Sequence, residues 1–175
     1  RMVENLLSVT RINGESATVQ KQPEAVEEMV GEAIARVRSR YPGQKIFVRV
    51  PDELLIAEMD ATLMEQVILN LVENAIKHGG RPVEITLTVT REKNQAVFEV
   101  ADNGRGLNPE EIPTLFQGGI SAQDGHADST RGIGIGLSIC QSIIKAHGGS
   151  ITAENRPEGG ARFCFSIPLE GDDLS

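Results

Sequence analysis

One predicted helix carries an unusually polar stripe. Residues 65–78 read EQVILNLVENAIKH, and at about 100° per residue the amide, carboxylate and ammonium side chains fall on one side. Two of them are asparagines one turn apart, although asparagine is a poor helix former because its side chain competes for backbone hydrogen bonds. Such groups could hold a metal ion and a phosphate, whereas the ordinary interpretation is a solvated surface helix. The stripe consists of Gln66, Asn70, Glu73, Asn74 and Lys77.

A second segment places an acidic residue and two glycines directly after a predicted apolar strand. Residues 102–107 read DNGRGL, a composition that is common in turns. The alternative is a recognition loop in which Asp102 accepts a hydrogen bond from an exocyclic amine. Gly104 and Gly106 would then let the backbone approach a flat ring, because glycine has no Cβ atom.

A third segment, residues 131–137, reads RGIGIGL and leads from a polar loop into a predicted helix. Backbone N–H groups at a helix N-terminus form an anion-binding site. The segment is not a Gly-Lys-Ser/Thr phosphate loop, and its glycine spacing differs from that of a dinucleotide-binding turn. Binding of phosphate by Gly132, Gly134 and Gly136 is therefore a hypothesis that the string alone does not make specific.

The pattern of apolar residues predicts one domain that would position these segments. It is expected to be α+β, a two-layer α/β sandwich with a mixed, mainly antiparallel sheet and helices on one face. Pro23 is expected in the first turn of one helix, Asp60 at the N-cap of another, and residues 117–131 in a loop. Helices are predicted over 1–12, 23–40, 60–77, 109–116 and 135–146, and strands over 17–22, 45–50, 54–59, 83–90, 95–101, 150–155 and 161–169.

Composition excludes several classes of protein. The 175 residues include 17 Lys and Arg against 25 Asp and Glu, a net charge of −8, and only one Tyr, five Phe and no Trp. An acidic chain without stacking rings lacks the surface of a nucleic-acid binder. No run approaches the roughly 20 apolar residues that a membrane-spanning helix needs. Cys140 and Cys164 form no Cys-x-x-Cys motif and are predicted to be buried thiols in a reducing cytosol.

The order and chemistry of the three segments resemble the ATP-binding catalytic domain of sensor histidine kinases. This is the Bergerat fold, shared with DNA gyrase and heat-shock chaperone ATPases. Residues 65–78 look like the N box of that family, 102–106 like its first glycine box and 132–137 like its second, while 159–163 look like its closing segment. Residues 1–12 and 155–161 are similar to the potassium-responsive sensor kinases within the family.

The resemblance implies a phosphate end of the site on the predicted helix. Asn74 would supply its amide oxygen to Mg²⁺, and Asn70 and Lys77 would contact the phosphates of ATP. His78 would lie at the edge of the nucleotide. Glu73 is the candidate catalytic residue, which would orient or deprotonate the accepting imidazole.

The resemblance also implies an adenine end and a lid. Asp102 would accept a hydrogen bond from the adenine amine, beside Gly104 and Gly106, and guanine would be rejected because it presents an oxygen there. Residues 117–131 would cover ATP. Two departures concern the lid and the base: Gly119 stands where an aromatic anchor is frequent, and Ala161 replaces a frequent threonine. The second glycine box would hold phosphate through Gly132, Gly134, Gly136 and Leu137.

The resemblance implies further partners, since no histidine here lies in the family's phosphoacceptor pattern. Residues 1–14 would be the end of a dimerisation helix, 15–170 the catalytic domain and 171–175 a tail, with the accepting histidine upstream of residue 1. The full-length protein is expected to be a homodimer anchored in the inner membrane, with this domain in the cytoplasm and a response regulator as indirect partner. For His147, a contact with a helix dipole is the favoured interpretation.

Three other functions remain open at this stage. A gyrase-type or chaperone-type ATPase would use the glutamate to activate water. A serine kinase of the anti-sigma type has the same nucleotide boxes, although the helix predicted at residues 1–12 argues against it. A non-catalytic nucleotide-binding module is the third, which the complete set of polar residues disfavours.

Overall fold

The computed structural model describes residues 19–78, 82–117 and 128–170, with the backbone alone for 128–135. The helix predicted over residues 1–12, residues 118–127 of the predicted loop and the tail predicted over residues 171–175 lie outside the described residues. The helices are α1 (Val26–Arg40), α2 (Ala61–His78) and α3 (Asp128–Ala146). The strands are β1 (Gln22–Ala25), β2 (Lys45–Arg49), β3 (Ile56–Met59), β4 (Glu84–Glu92), β5 (Gln95–Asp102), β6 (Ser150–Asn155) and β7 (Ala161–Pro168).

Five strands form one mixed sheet in the order β2-β4-β5-β7-β6. The β2–β4 pair is parallel and the other three pairs are antiparallel. β1 and β3 form a separate antiparallel pair. The prediction of a mainly antiparallel α+β sandwich is therefore confirmed.

The core lies between the helices and one face of the sheet. Alternate residues of β5 and β7 are buried, as expected when one face of a sheet is covered. Phe98 and Phe165 pair across these strands and stack with ring centroids 4.6 Å apart. Cys140 is buried in this core as predicted, but Cys164 is only partly buried because it lies on the other face of β7.

The start of α1 differs from the prediction. The predicted strand over residues 17–22 is found instead at β1, and Pro23 lies within β1 rather than in the helix. Among the described residues β1 pairs with β3 alone, and an edge strand tolerates proline where the missing N–H would face away from the ladder. The helix begins at Val26, whose N–H donates to the carbonyl of Leu55 at 2.9 Å.

Two other boundaries are also different. The helix predicted over residues 109–116 is only a short 3₁₀ turn at Ile112–Thr114. α3 begins at Asp128, seven residues before the predicted start at residue 135. Asp, Ser and Thr at 128–130 favour a helix start, and each glycine that follows costs about 1 kcal/mol relative to alanine without breaking the helix.

Candidate functional site

The N-terminus of α2 is fixed by a cap and by a histidine. Asp60 Oδ1 accepts a hydrogen bond from the N–H of Leu63 at 3.3 Å, which confirms the predicted N-cap. The N–H of Asp60 donates to His147 Nε2 at 3.0 Å, and His147 Nδ1 lies 2.8 Å from the carbonyl of Ile143. Nε2 must accept, so Nδ1 carries the proton and the ring is neutral.

The neutral ring modifies the prediction for His147. The contact with the last turn of its own helix is present, but it is a hydrogen bond from an uncharged ring rather than an imidazolium at a helix dipole. His147 is 3% exposed, and burial lowers its pKa. The side chain therefore joins the end of α3 to the start of α2, a contact across 87 residues that sequence reasoning missed.

Asn70 has a buried hydrogen-bond donor that the described part of the chain leaves unpaired. The residue is 9% exposed, and its Oδ1 accepts from Gln66 Nε2 at 2.9 Å. Among the described residues, its Nδ2 has no acceptor in hydrogen-bond geometry, and its neighbour Cys140 offers only a weakly accepting sulfur. Leaving a buried donor unpaired costs about 1–3 kcal/mol. The Nδ2 group of Asn70 can therefore donate to an acceptor that the described residues do not supply.

The next turn of α2 is more accessible. Asn74 and His78 are half-buried, and Lys77 is exposed. Burial lowers the pKa of His78, and the positive charges of Arg105 and Lys77 lower it further. Asn70, Asn74 and Lys77 thus form a ladder on one side of α2 that runs from a buried amide to an exposed ammonium group, as the stripe predicted.

Glu73, on the same stripe, is held by residues from the end of α1. Its Oε2 accepts from Arg40 Nη1 at 2.7 Å and from the Tyr41 hydroxyl at 3.2 Å, both at the end of α1. Residue 73 lies about 60° from residue 70 around the helix, so it stays within the predicted stripe while its carboxylate is held by the end of α1. The sequence did not predict the contacts of Glu73 with Arg40 and Tyr41.

Asp102 ends β5 with one carboxylate oxygen engaged and the other available. It is 6% exposed, and its Oδ1 accepts from the N–H of Gly104 at 2.7 Å and from that of Ala161 at 3.4 Å. No hydrogen bond to Oδ2 comes from the described residues. The engaged oxygen fixes the orientation of the carboxylate, so Oδ2 is presented as an acceptor.

The loop after Asp102 contacts the end of α2. Arg105 Nε donates to the carbonyl of His78 at 3.1 Å, and Asn103 Oδ1 accepts from the N–H of Glu84 at 2.8 Å. Gly106 has φ +84°, a conformation that L side chains rarely adopt. The structure therefore brings the first two predicted segments together.

The third segment lies differently from the prediction. Gly132, Gly134 and Gly136 lie within α3, beyond its first turn, instead of at its N-terminus. Leu137 is 1% exposed and belongs to the core, so its side chain is a packing group. The expectation of a free helix N-terminus at these glycines was wrong, although a Cβ at Gly136 would meet open space.

α3 nevertheless runs beside α2 at the level of Asn70. Cys140 Sγ lies 3.8 Å from the carbonyl of Val67, and burial raises the pKa of Cys140 to about 12 in spite of its contact with the side chain of Asn70. The helix that contains the third predicted segment therefore packs against α2. The start of residues 117–131 is anchored by Phe116, whose ring packs edge-on against Phe163 at 6.4 Å.

The fold and the site define the class of protein. Residues 59–171 match the model of the histidine kinase-, DNA gyrase B-, and HSP90-like ATPase family, and the chain belongs to that family. The proteins to which it is similar include sensory kinases and the catalytic domain of a histidine kinase.

Two sensor proteins called KdpD are among the relatives. The chain is 41% identical to KdpD of Clostridium acetobutylicum over 170 residues and 38% identical to KdpD of Escherichia coli over 172 residues. Each match covers 97% of this chain, which spans about a fifth of those relatives, 19% in each case.

Solved structures agree with this assignment. The catalytic domain of the histidine kinase ThkA is 28% identical, with a TM-score of 0.71 over 85% of this chain and 95% of that one. ThkA in complex with the response regulator protein TrrA matches 96% of this chain and 47% of that one, at 25% identity and a TM-score of 0.73. In the part of the chain that the structure describes, no helix is both long and apolar enough to cross a bilayer.

Proposed function

We propose that this domain binds Mg·ATP and transfers the γ-phosphoryl group to a histidine of a dimerisation domain in the same kinase. The observation that carries the proposal is the buried, unpaired Nδ2 of Asn70. A phosphate oxygen is an acceptor that would satisfy this donor. The family membership supports a nucleotide as the source of that phosphate.

The adenine end would be read by Asp102. Its Oδ2 is an oriented acceptor, which suits the exocyclic amine of adenine. Guanine would bring an oxygen to the same place, and two acceptors facing each other lose the hydrogen bond and repel. We therefore expect strong selectivity for ATP over GTP.

The residues present fit a magnesium ion held largely by the nucleotide. Among residues 19–78, 82–117 and 128–170, no group of three or more His, Cys, Asp or Glu side chains could hold a metal ion. Mg²⁺ commonly takes one or two protein ligands together with phosphates and waters. Asn74 would supply its amide oxygen, and the ion when bound would neutralise charge on the phosphates.

Lys77 and His78 would complete the contacts with the nucleotide, Lys77 at the phosphates and His78 at the edge. For Gly132, Gly134 and Gly136 to offer their N–H groups to phosphate, the first turns of α3 would have to open. Three glycines lower the cost of opening, since each disfavours the helix by about 1 kcal/mol. We retain Glu73 as the candidate group near the accepting imidazole, acting from its bond to Arg40.

The whole protein would be a homodimer anchored in the inner membrane, with this domain in the cytoplasm. Its phosphorylated histidine would pass the phosphoryl group to the receiver domain of a response regulator. The similarity to KdpD supports a sensor kinase of this kind, and the ThkA complex is a related kinase bound to its regulator.

The test measures Mg²⁺-dependent binding of ATP, ADP and GTP by calorimetry, then phosphoryl transfer to a supplied dimerisation hairpin. Asn74→Asp should change the metal dependence, and Asp102→Asn should weaken ATP binding about 100-fold, the value of a strong hydrogen bond to a charged group. Equal binding of ATP and GTP would contradict the proposal. Rapid hydrolysis without any acceptor would instead favour the gyrase-type ATPase.

A further inference from the structure

We propose that Asn155, the last residue of β6, and Arg156, the first residue of the turn to β7, are positioning residues for adenine recognition. This inference rests on the proposed function, because it concerns the loop that would contact the base. The turn, taken together with Asn155 as residues 155–160, holds the recognition loop, residues 102–107, through side-chain and backbone contacts. These contacts set where the free oxygen of Asp102 points.

Asn155 holds the far end of the recognition loop with both atoms of its amide. Its Oδ1 accepts from the N–H of Leu107 at 2.7 Å, and its Nδ2 donates to the carbonyl of Leu107 at 2.9 Å. The amide therefore substitutes for a strand partner at a point where the loop has left the sheet. A Cβ on Gly106 would lie 2.8 Å from the same Oδ1, so the two segments are in close contact.

Arg156 holds the near end. Its Nη1 donates to the backbone carbonyl of Asp102 at 2.6 Å, and its Nη2 donates to Glu158 Oε2 at 2.8 Å. The guanidinium is a planar fork that can serve both acceptors at once. Glu158 in this way orients Arg156, and Arg156 fixes the carbonyl of the residue whose carboxylate would meet the base.

The backbone of the turn also touches Asp102. Gly160 has φ +92°, and a Cβ there would overlap with the carbonyl oxygen of Asp102. The N–H of Arg156 donates to the carbonyl of Gly160 at 2.9 Å, which closes the turn. The next residue, Ala161, donates its N–H to Asp102 Oδ1. Asp102 is thus held at its carbonyl and at one carboxylate oxygen by the same turn.

The alternative is that the turn only stabilises the fold, and the two roles differ in what a substitution does to binding. A positioning role weakens the contact with the base and spares the phosphates. Loss of a merely structural contact lowers the apparent affinity for all ligands equally, because a smaller fraction of the protein is folded. The ligands that separate these outcomes are ATP, GTP and inorganic tripolyphosphate.

The experiment compares Arg156→Gln and Asn155→Asp with Arg162→Gln as the matched control. The Arg162 side chain is also ion-paired, to Glu154 and Glu99, and its hydrogen bonds and ion pairs among the described residues do not involve residues 102–107. Calorimetry should show ATP affinity about tenfold lower in both test variants, as for one lost hydrogen bond to a charged or backbone group. Tripolyphosphate affinity should not change, and Arg156→Lys should recover part of the ATP affinity.

A double-mutant cycle with Asp102→Asn completes the test, since a residue that acts through Asp102 has little left to affect once Asp102 is changed. Equal loss for all three ligands, or no loss of ATP affinity relative to Arg162→Gln, would overturn the inference. If the unaltered domain binds ATP and GTP equally, the proposed function itself fails, and that result is separate from either outcome above.

Discussion

The loop after β5 and the glycine segment in α3 would contact opposite ends of one nucleotide, yet the protein holds them differently. The loop is already fixed, since its carboxylate, its carbonyl and Leu107 all have protein partners. The glycines lie within helix α3, and the Nδ2 group of Asn70 has no acceptor among the described residues. In the proposed site, the base end would therefore be formed in advance, and the phosphate end would need a ligand to complete it.

This contrast predicts where binding energy would be spent. A preformed base site costs no ordering when adenine enters, so it contributes to affinity and selectivity directly. Opening the first turns of α3 would cost free energy, which contacts with phosphate must repay. The affinities for ATP and ADP should therefore differ by more than the direct contacts of the one extra phosphate group of ATP would give.

The largest effect is expected from a substitution that removes the preformed base end. Gly160→Ala puts a Cβ against the carbonyl of Asp102 at φ +92° and should lower the free energy of unfolding by about 3 kcal/mol. Gly159→Ala is the control, since φ is also positive there but no atom lies within 4 Å. It should cost only about 1–2 kcal/mol. Equal losses of unfolding free energy in urea would show that the turn at residues 155–160 is not in close contact with the recognition loop.

The ion pair beneath the phosphate end should have the next largest effect. Arg40→Ala leaves the Glu73 carboxylate, only 8% exposed, without its cation and should cost about 2 kcal/mol of stability. The value is below that of a fully buried pair because Arg40 is 31% exposed.

Arg36→Ala is the matched control for the ion pair, because Arg36 pairs with Glu65 from an exposed position on the same helix and should cost at most about 0.5 kcal/mol. Similar losses in the two variants would mean that the contact with Arg40 is no stronger than a surface pair. Glu73→Gln should then be tested for phosphoryl transfer, since unchanged transfer would remove Glu73 from the catalytic candidates.

Asn70 should show stability and binding moving in opposite directions. Asn70→Leu removes an unpaired buried donor and should raise the free energy of unfolding by about 1 kcal/mol, while ATP binding is lost. Asn74→Leu, at a half-buried position, should lose binding without any gain in stability. If Asn70→Leu instead destabilises the domain, the amide has a structural role, and the phosphate end is already complete.

The elements that the sequence predicted well are those with a strong period or a local signal. α2, its cap at Asp60 and the buried side of α1 follow from apolar spacing and one side-chain preference. The ladder of Asn70 and Asn74 followed from the same period.

What the sequence did not predict depends on contacts between distant residues. Glu73 turns towards Arg40, 33 residues away, and Asn155 pairs with Leu107 across 48 residues. No periodicity encodes such a pair, because it exists only once the elements have packed. The start of α3 was missed for a different reason: residues 117–131 lack periodicity and were predicted as a loop, with the helix starting only at residue 135, whereas the helix tolerates the cost of Gly132 and Gly134 between favourable residues on either side.

The smallest effect concerns the hydrogen bond between His147 and Asp60, which joins the end of α3 to the start of α2. Burial lowers the pKa of His147 below its usual 6.5, with Lys21 lowering it further and Asp60 opposing. The unfolded chain therefore binds a proton at His147 more readily than the folded domain does. The free energy of unfolding should fall as the pH drops below about 6.5. Above that value the contribution is fully present. Each unit of difference in pKa is worth about 1.4 kcal/mol.

His147→Gln tests this contact, because a glutamine amide can accept from the N–H of Asp60 and donate to the carbonyl of Ile143 without titrating. Denaturant unfolding between pH 5 and pH 8 should show a flatter dependence in this variant than in the unaltered domain. His78→Gln is the control for the other histidine whose pKa is lowered, and it should flatten the curve less because His78 is only half-buried. An unchanged slope in His147→Gln would mean that His147 does not contribute to the pH dependence of stability. The ring would then be protonated in the folded domain as easily as in the unfolded chain, and its contact with Asp60 could break without unfolding the domain.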